Sequence, residues 1–346
     1  MRLMKTVAVV ALALILTACG GASTTNTGTG ATGTESINNS SSPSVVLKLG
    51  HIQNESDLWH LGAQKFADRV SELSGGDIKV EIYPNSTLGG DRDMAEGLQA
   101  GTVDISLIAG VLSNFDESIS ILEIPYLFRN SEEFEKIIYG DIGDEISQHV
   151  LDTTGIRILG WWERGPRKIT SNKPIYTVED MKGLKIRIPE ISAMQRVFEA
   201  WGAAATTMSW SEVYPGLQQK VIEAQENPIP FFYSGSIYEV NKYINNTDHK
   251  FEYVTMAMSD AVYQKLTDKQ KEWVDQAAEE ATEYENSAVA DVVQDALEDM
   301  TENQGVTVVD TDTSGFIEIA DKVAPDYAES IGQKELYDRI EAALGR

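Results

Sequence analysis

The chain has 346 residues, 42% of them hydrophobic, with 54 Asp and Glu against 28 Lys and Arg and a formal net charge of -26. The apolar share, with 6 Trp, 13 Tyr and 9 Phe, suffices for a buried core and excludes a disordered chain, while the negative charge removes the attraction on which nucleic-acid binding depends. One Cys excludes an internal disulfide, no Cys/His cluster sits at zinc spacing, and neither a metal nor a cofactor is expected.

The N-terminus begins with Arg2 and Lys5, continues as an apolar run from Val7 to Leu16, and closes with Leu16-Thr17-Ala18-Cys19. This is the layout of an export signal, and the run is short for a bilayer span. The closing four residues resemble a bacterial lipobox, which makes 1–18 a signal peptide and Cys19 the lipidated residue that anchors the body to the cell membrane. An ordinary signal peptide with an incidental Cys19 is the alternative, and both readings export the body. Residues 19–44 are mostly Gly, Ser, Thr and Asn and read as a flexible tether.

From Val45 the chain alternates strands and helices. Val45–Gly50 reads as a buried strand, Trp59–Leu73 as a helix with Leu61, Phe66, Val70 and Leu73 at helical spacing, and Gly75-Gly76-Asp77 as its stop. A strand at Ile78–Tyr83, a helix at Asp91–Ala100 and a strand at Val103–Ile108 follow, an order that predicts an α/β domain with a largely parallel sheet. The middle continues with a strand at Gly155–Trp161, a helical turn at Val178–Met181 and a strand at Lys185–Ile188. A helix at Ser192–Trp201, a strand at Ala204–Met208, a helix at Trp210–Gln219 and a strand at Val221–Ala224 come next. Thr267, with Gln270 three residues on, is a capping box that opens a helix running to about Asn303. At 1.5 Å per residue that helix is roughly 54 Å long, enough to span two lobes. The tail offers a strand at Val306–Val309 and terminal helices.

Catalytic motifs are missing from the sequence: there is no phosphate loop, no His-Glu-x-x-His and no Gly-x-Ser-x-Gly elbow. Four widely separated histidines offer little for acid-base work, and an enzyme is not expected.

The informative stretch is 163–249. In the strand Lys185–Ile188 alternation places Ile186 and Ile188 on one face and Arg187 on the other, free to enter a cleft. Arg167 lies twenty residues earlier. Together with MKGLKIRIP (181–189), the stretches YPNSTLGGDRDM (83–94), GLQAGTVD (97–104), EIPYLF (123–128), WSEVYPGLQQKVIEAQENP (210–228) and YEVNKYINNTDH (238–249) occur in order. In these the chain resembles the solute-binding proteins of tripartite ATP-independent periplasmic (TRAP) transporters, the DctP family, over nearly all of 46–346.

The resemblance implies a two-lobed α/β fold, periplasmic-binding-protein-like and type II-like, with a long lobe-spanning helix. The expected lobes are 45–164 with 253–292, and 165–252 with 293–346. It implies an organic acid as ligand, a small and a large membrane subunit as partners, and a monomer. Carried over by motif, Arg187 grips the ligand carboxylate, Arg167 and Asn227 assist, and Trp210 lies against the ligand. A guanidinium suits the first role because its parallel N–H donors match a carboxylate and its charge persists in a dry cleft.

His51, Gln53, Asp91, Trp162 and Glu163 are further pocket candidates. Sialic-acid binders of the family carry a Glu and an Arg where this chain has Ala109 and Leu112. Asp91 and Glu163 with two tryptophans suit hydroxyls and sugar carbons, whereas a C4-dicarboxylate wants a second cation, for which only Arg92 and Arg164 lie near. The expected ligand is a sugar acid, a uronate or an aldonate. A C4-dicarboxylate, or a sensor role with the bound ligand presented to a receptor, is the alternative.

Overall fold

Val45–Gly50 (β1) pairs in parallel with Ile78–Tyr83 (β2), from Val45 opposite Ile78 to Gly50 opposite Tyr83. In the computed structural model, which describes residues 42–346, these strands form one end of a nine-stranded sheet. The signal peptide, Cys19 and the tether as far as residue 41 lie outside the described residues.

The helix Leu58–Leu73 links the two strands. Asp57 caps it by accepting from the Trp59 N–H, and Trp59, Ala63, Phe66 and Val70 bury one stripe of it. Ile105–Ile108 (β3) lies on the other side of β1, also parallel, after the helix Asp91–Ala100 and its left-handed Gly101 cap.

The remaining strands are Ile156–Ser171 (β4), Lys185–Ile188 (β5), Ala204–Thr207 (β6), Ala224–Pro228 (β7), Tyr243–Ser259 (β8) and Thr307–Val309 (β9). The order is β2-β1-β3-β8-β4-β7-β5-β6, with β9 on β8. Both ends of the sheet are parallel, but each neighbouring pair along β3-β8-β4-β7 is antiparallel. The parallel pairing expected from the first three strands is present, and what the sequence order did not announce is that two strands of 16 and 17 residues run antiparallel through the middle of the sheet. The strand read at 155–161 is only the first part of β4. The first part of β8 escapes a sequence reading because Asn245, Thr247, His249, Lys250 and Glu252 are buried within it, so up to Glu252 it shows neither alternation nor an apolar run.

The pairing of β4 with β8 shifts register between Glu163 and Gly165, where Glu163 faces Tyr253 and Gly165 faces Glu252. The extra residue, Arg164, is a bulge that resets which side chains share a face.

The long helix is Asp268–Glu302, 35 residues. Thr267 Oγ1 accepts from the Gln270 N–H and the Thr267 N–H donates to Gln270 Oε1 at 3.0 Å, the expected capping box. Its first half buries Val274, Ala277, Ala278 and Ala281 in the larger hydrophobic cluster. Ala296 and Met300 enter a second cluster with Val213, Leu217, Phe232 and Ile244. One helix thus braces two cores, and the fold is α/β and two-lobed.

Candidate ligand-binding cleft

The C-terminal ends of β5 and β7, together with β4, bring Arg187, Asn227 and Arg167 onto one wall of a cleft of about 590 Å³. That volume falls within the usual range for a small organic ligand. Opposite them stand Asp91, at the start of the helix Asp91–Ala100, and the Ala109–Val111 segment. Trp210 and Phe231 supply aromatic surface, their rings edge to face at 5.1 Å.

Arg187 is buried and makes no ion pair among the described residues. Its Nε and Nη2 donate to the Met208 carbonyl at 2.8 and 2.6 Å. One edge of the guanidinium is therefore fixed by the fold, while both N–H groups of Nη1 and one of Nη2 remain for a ligand. Burial pulls its pKa down to about 10, which still leaves it charged at neutral pH.

Arg167 is differently placed. Its Nε and Nη2 donate to the Glu226 carboxylate at 2.5 and 2.7 Å, Nη2 also donates to the Glu226 carbonyl at 2.9 Å, and Nη1 donates to Glu252. Burial opposes its charge, but the two carboxylates outweigh burial and raise its pKa. Glu226 also accepts from His249 Nε2 at 3.0 Å, and although burial works against its charge, Arg167 and His249 bring it down to about 2. Four of the five Arg167 donors are used inside the protein, so it brings the cleft one N–H and no net charge. Neither Glu163 nor Asp180 is an ion-pair partner of Arg167. Glu252, across β8, could not be anticipated without that strand.

Asn227 donates to Gln225 Oε1 at 2.8 Å, which is held in turn through Thr170. Asp91 is half-buried, and its Oδ1 is buried without a hydrogen-bond partner. Burial pushes its carboxyl up to about 7, with Arg187 opposing and Glu252 adding to the shift.

Four candidates are not brought into the lining. Trp162 is a core residue: its Nε1 donates to Thr282 Oγ1 of the long helix at 3.0 Å, and its ring packs so closely on Gly62 that a Cβ there would lie 2.8 Å away. Glu163 is turned from the cleft by the bulge at Arg164; its N–H donates to Asn286 of the long helix at 2.8 Å, and its carboxyl is pushed up to about 7 by burial and by Glu135. His51 is buried against His60 at 3.1 Å and driven down to about 4 by burial and by that neighbour. The Gln53 carbonyl accepts from Asn85 N–H at 2.8 Å, and Ile52, between the two, is the residue that lines the cleft.

Of the two spare cations, Arg164 is buried outside the lining on Asp57 at 3.0 Å. Arg92 lines the rim but is held by Glu96 at 3.2 Å and Glu190 at 2.8 Å. Ala109 lines the wall and Leu112 is buried.

A two-lobed α/β fold with an unpaired arginine in the cleft defines a carboxylate-binding protein. Residues 49–333 match the family described as bacterial extracellular solute-binding protein, family 7 (DctP), and the chain belongs to it. It is 35% identical to a solute-binding protein of Roseobacter denitrificans over 290 residues, 83% of this chain and 88% of that one. It is 30% identical to the 2,3-diketo-L-gulonate-binding periplasmic protein of Escherichia coli over 286 residues, 82% and 87% of the two chains. A crystal structure of a TRAP periplasmic solute binding protein from R. denitrificans, with bound L-galactonate, superposes with a TM-score of 0.82 at 33% identity, covering 88% of this chain and 100% of that one. Family 7 proteins bind solutes for transport and are not enzymes.

Proposed function

We propose that the protein captures a sugar acid, an aldonate or uronate, outside the cytoplasm and delivers it to the small and large membrane subunits of a TRAP transporter. The observation that carries this is Arg187: a buried guanidinium with three free N–H donors and no carboxylate partner among the described residues. A dicarboxylate needs a second cation, whereas Arg92 and Arg167 in the lining are already engaged by carboxylates. Asp91, Asn227, Ser209 and Thr207 in the lining suit hydroxyls, and Trp210 and Phe231 suit the carbons between them. The L-galactonate in the R. denitrificans relative and the diketogulonate named for the E. coli one agree with this reading.

The lobe boundaries we infer, 164/165 and 252/253, lie at the second of three register shifts of β4 against β8, a natural place for a hinge. The protein acts as a monomer tethered through a lipidated Cys19; Cys19→Ser is expected to release it from the membrane fraction.

The deciding experiment is thermal unfolding with aldonates, uronates, sialic acid, C4-dicarboxylates and neutral sugars. A ligand at 100 times its Kd stabilises by about 2.7 kcal/mol, a rise of roughly 2 to 4 °C. A shift with sugar acids that vanishes in Arg187→Ala is the expected result; a shift with C4-dicarboxylates alone overturns the sugar-acid reading.

A further inference from the structure

We propose that ligand capture is coupled to uptake of one proton by Asp91, so that the protein binds an acid and a proton together. The inference rests on the carboxylate clamp at Arg187 and adds to it a thermodynamic partner.

Asp91 lines the same cleft as Arg187, close enough for the two charges to interact, and its buried Oδ1 accepts no hydrogen bond. The charged groups around it are otherwise committed. On its own helix Arg92 is held by Glu96 and Glu190, and Asp93 accepts from the Gly90 N–H at 2.9 Å. On β4 Arg167 is neutralised by Glu226 of β7 and Glu252 of β8. At the start of the Trp210–Gln218 helix, Glu212 accepts from the Ser209 N–H at 3.2 Å. Arg187 on β5 is the lining cation without a carboxylate partner among the described residues, and Asp91 is the acid that faces it.

With the cleft empty, an ionised Asp91 balances Arg187. A ligand carboxylate on Arg187 adds a negative charge where closure excludes water, and like charges repel strongly there. A proton from solvent, added to an Asp91 oxygen, restores neutrality; no bond in the ligand is made or broken. It also converts an oxygen that lacks a donor into a hydroxyl able to donate to the ligand. Burial already holds the empty-site carboxyl up near neutrality, to about 7, so little further displacement protonates it.

The test is isothermal titration of the purified protein with L-galactonate from pH 5.5 to 9, in buffers of differing ionisation heat. The expected Kd is flat at acid pH and rises above about pH 7, by up to roughly tenfold per unit, with uptake approaching one proton per ligand at alkaline pH. Asp91→Asn, whose amide cannot titrate, is expected to lose both the slope and the buffer-dependent heat. Binding with a flat profile and no proton uptake overturns the inference and leaves the Arg187 clamp intact. Failure of L-galactonate, galacturonate and gluconate to bind even at pH 5.5 overturns the sugar-acid reading instead. The proton count is then made with whichever acid stabilises the protein, and a flat profile there overturns the coupling.

Discussion

Arg187 donates two of its N–H groups to a single acceptor, the Met208 carbonyl, at 2.8 and 2.6 Å. The main chain between β6 and the Trp210–Gln218 helix thereby aims the guanidinium, and it does so without spending its charge.

Arg187→Ala is therefore expected to raise the ligand Kd by roughly 100-fold or more, about 3 kcal/mol, the scale of charged hydrogen bonds lost from a buried site. Ligand-free stability should change little, because the relief of a desolvated charge offsets the loss of its attraction for Asp91. Arg187→Lys should bind nearly as poorly, since a point charge cannot hold Met208 and a carboxylate edge together. Calorimetry and unfolding of the same samples check both; a ligand-free protein that unfolds several degrees lower contradicts this account.

Glu226 and Arg167 predict the opposite pattern. Glu226→Gln leaves Arg167 with Glu252 as its remaining carboxylate and replaces one of the two acceptor oxygens that serve Arg167 and His249 Nε2 with an NH2 donor, all within a buried network. Breaking one partner of such a pair typically costs about 3 to 5 kcal/mol. Denaturant unfolding should show a loss of that order with or without ligand, and a variant as stable as the parent would deny the network its structural role.

Elements governed by local rules could be read from the sequence, and elements governed by distant charges could not. The Thr267–Gln270 box and the Arg187 strand declare themselves because capping and alternation are local. β8 is opaque because His249, Lys250 and Glu252 are buried by charged partners distant in sequence, which reverses the usual link between polarity and exposure. Glu163 was placed with the pocket by its proximity to Arg167, but the Arg164 bulge between them turns it toward the long helix. Asp91 could be named as a candidate, yet its unpartnered Oδ1 belongs to the packing around it.

Gly110 offers a test of closure. It lines the cleft, and a Cβ there would come 2.2 Å from Glu123 Oε2 and 2.6 Å from Ile191 Cδ1, on the far side of the cleft. Glu123 is itself buried and held by Lys250 at 3.0 Å, so it cannot move aside freely. Gly110→Ala is expected to hold the two walls apart and weaken ligand binding, at a stability cost of roughly 1 to 3 kcal/mol from overpacking. Small-angle scattering with and without ligand would register the lost compaction; an unchanged Kd would show that the walls do not close on this point.

The pH dependence of the ligand-free protein follows from groups shifted in opposite senses. Asp91 and Glu163 are each raised to about 7, chiefly by burial. Their contribution is complete below the unfolded carboxyl values, about pH 4, and is lost as pH rises through 7. Glu226, lowered to about 2, contributes above its unfolded value and loses that contribution as pH falls toward 2. His51, lowered to about 4, contributes above its unfolded value near 6.5 and loses that contribution as pH falls through 4. Between about pH 4 and 6.5 the two raised acids outweigh the one lowered histidine, so the melting temperature should peak at about pH 4 and decline on both sides. Glu163→Gln lies outside the cleft lining and removes one of the two acids that lose their contribution there, so it should flatten the decline between about pH 6 and 8, by less than the full linkage value because Glu163 is partly exposed to solvent screening. Thermal scans across pH 3 to 9 on the parent and this variant decide the matter, and a parent curve still rising from pH 6 to 8 would mean that the buried acids do not hold their protons.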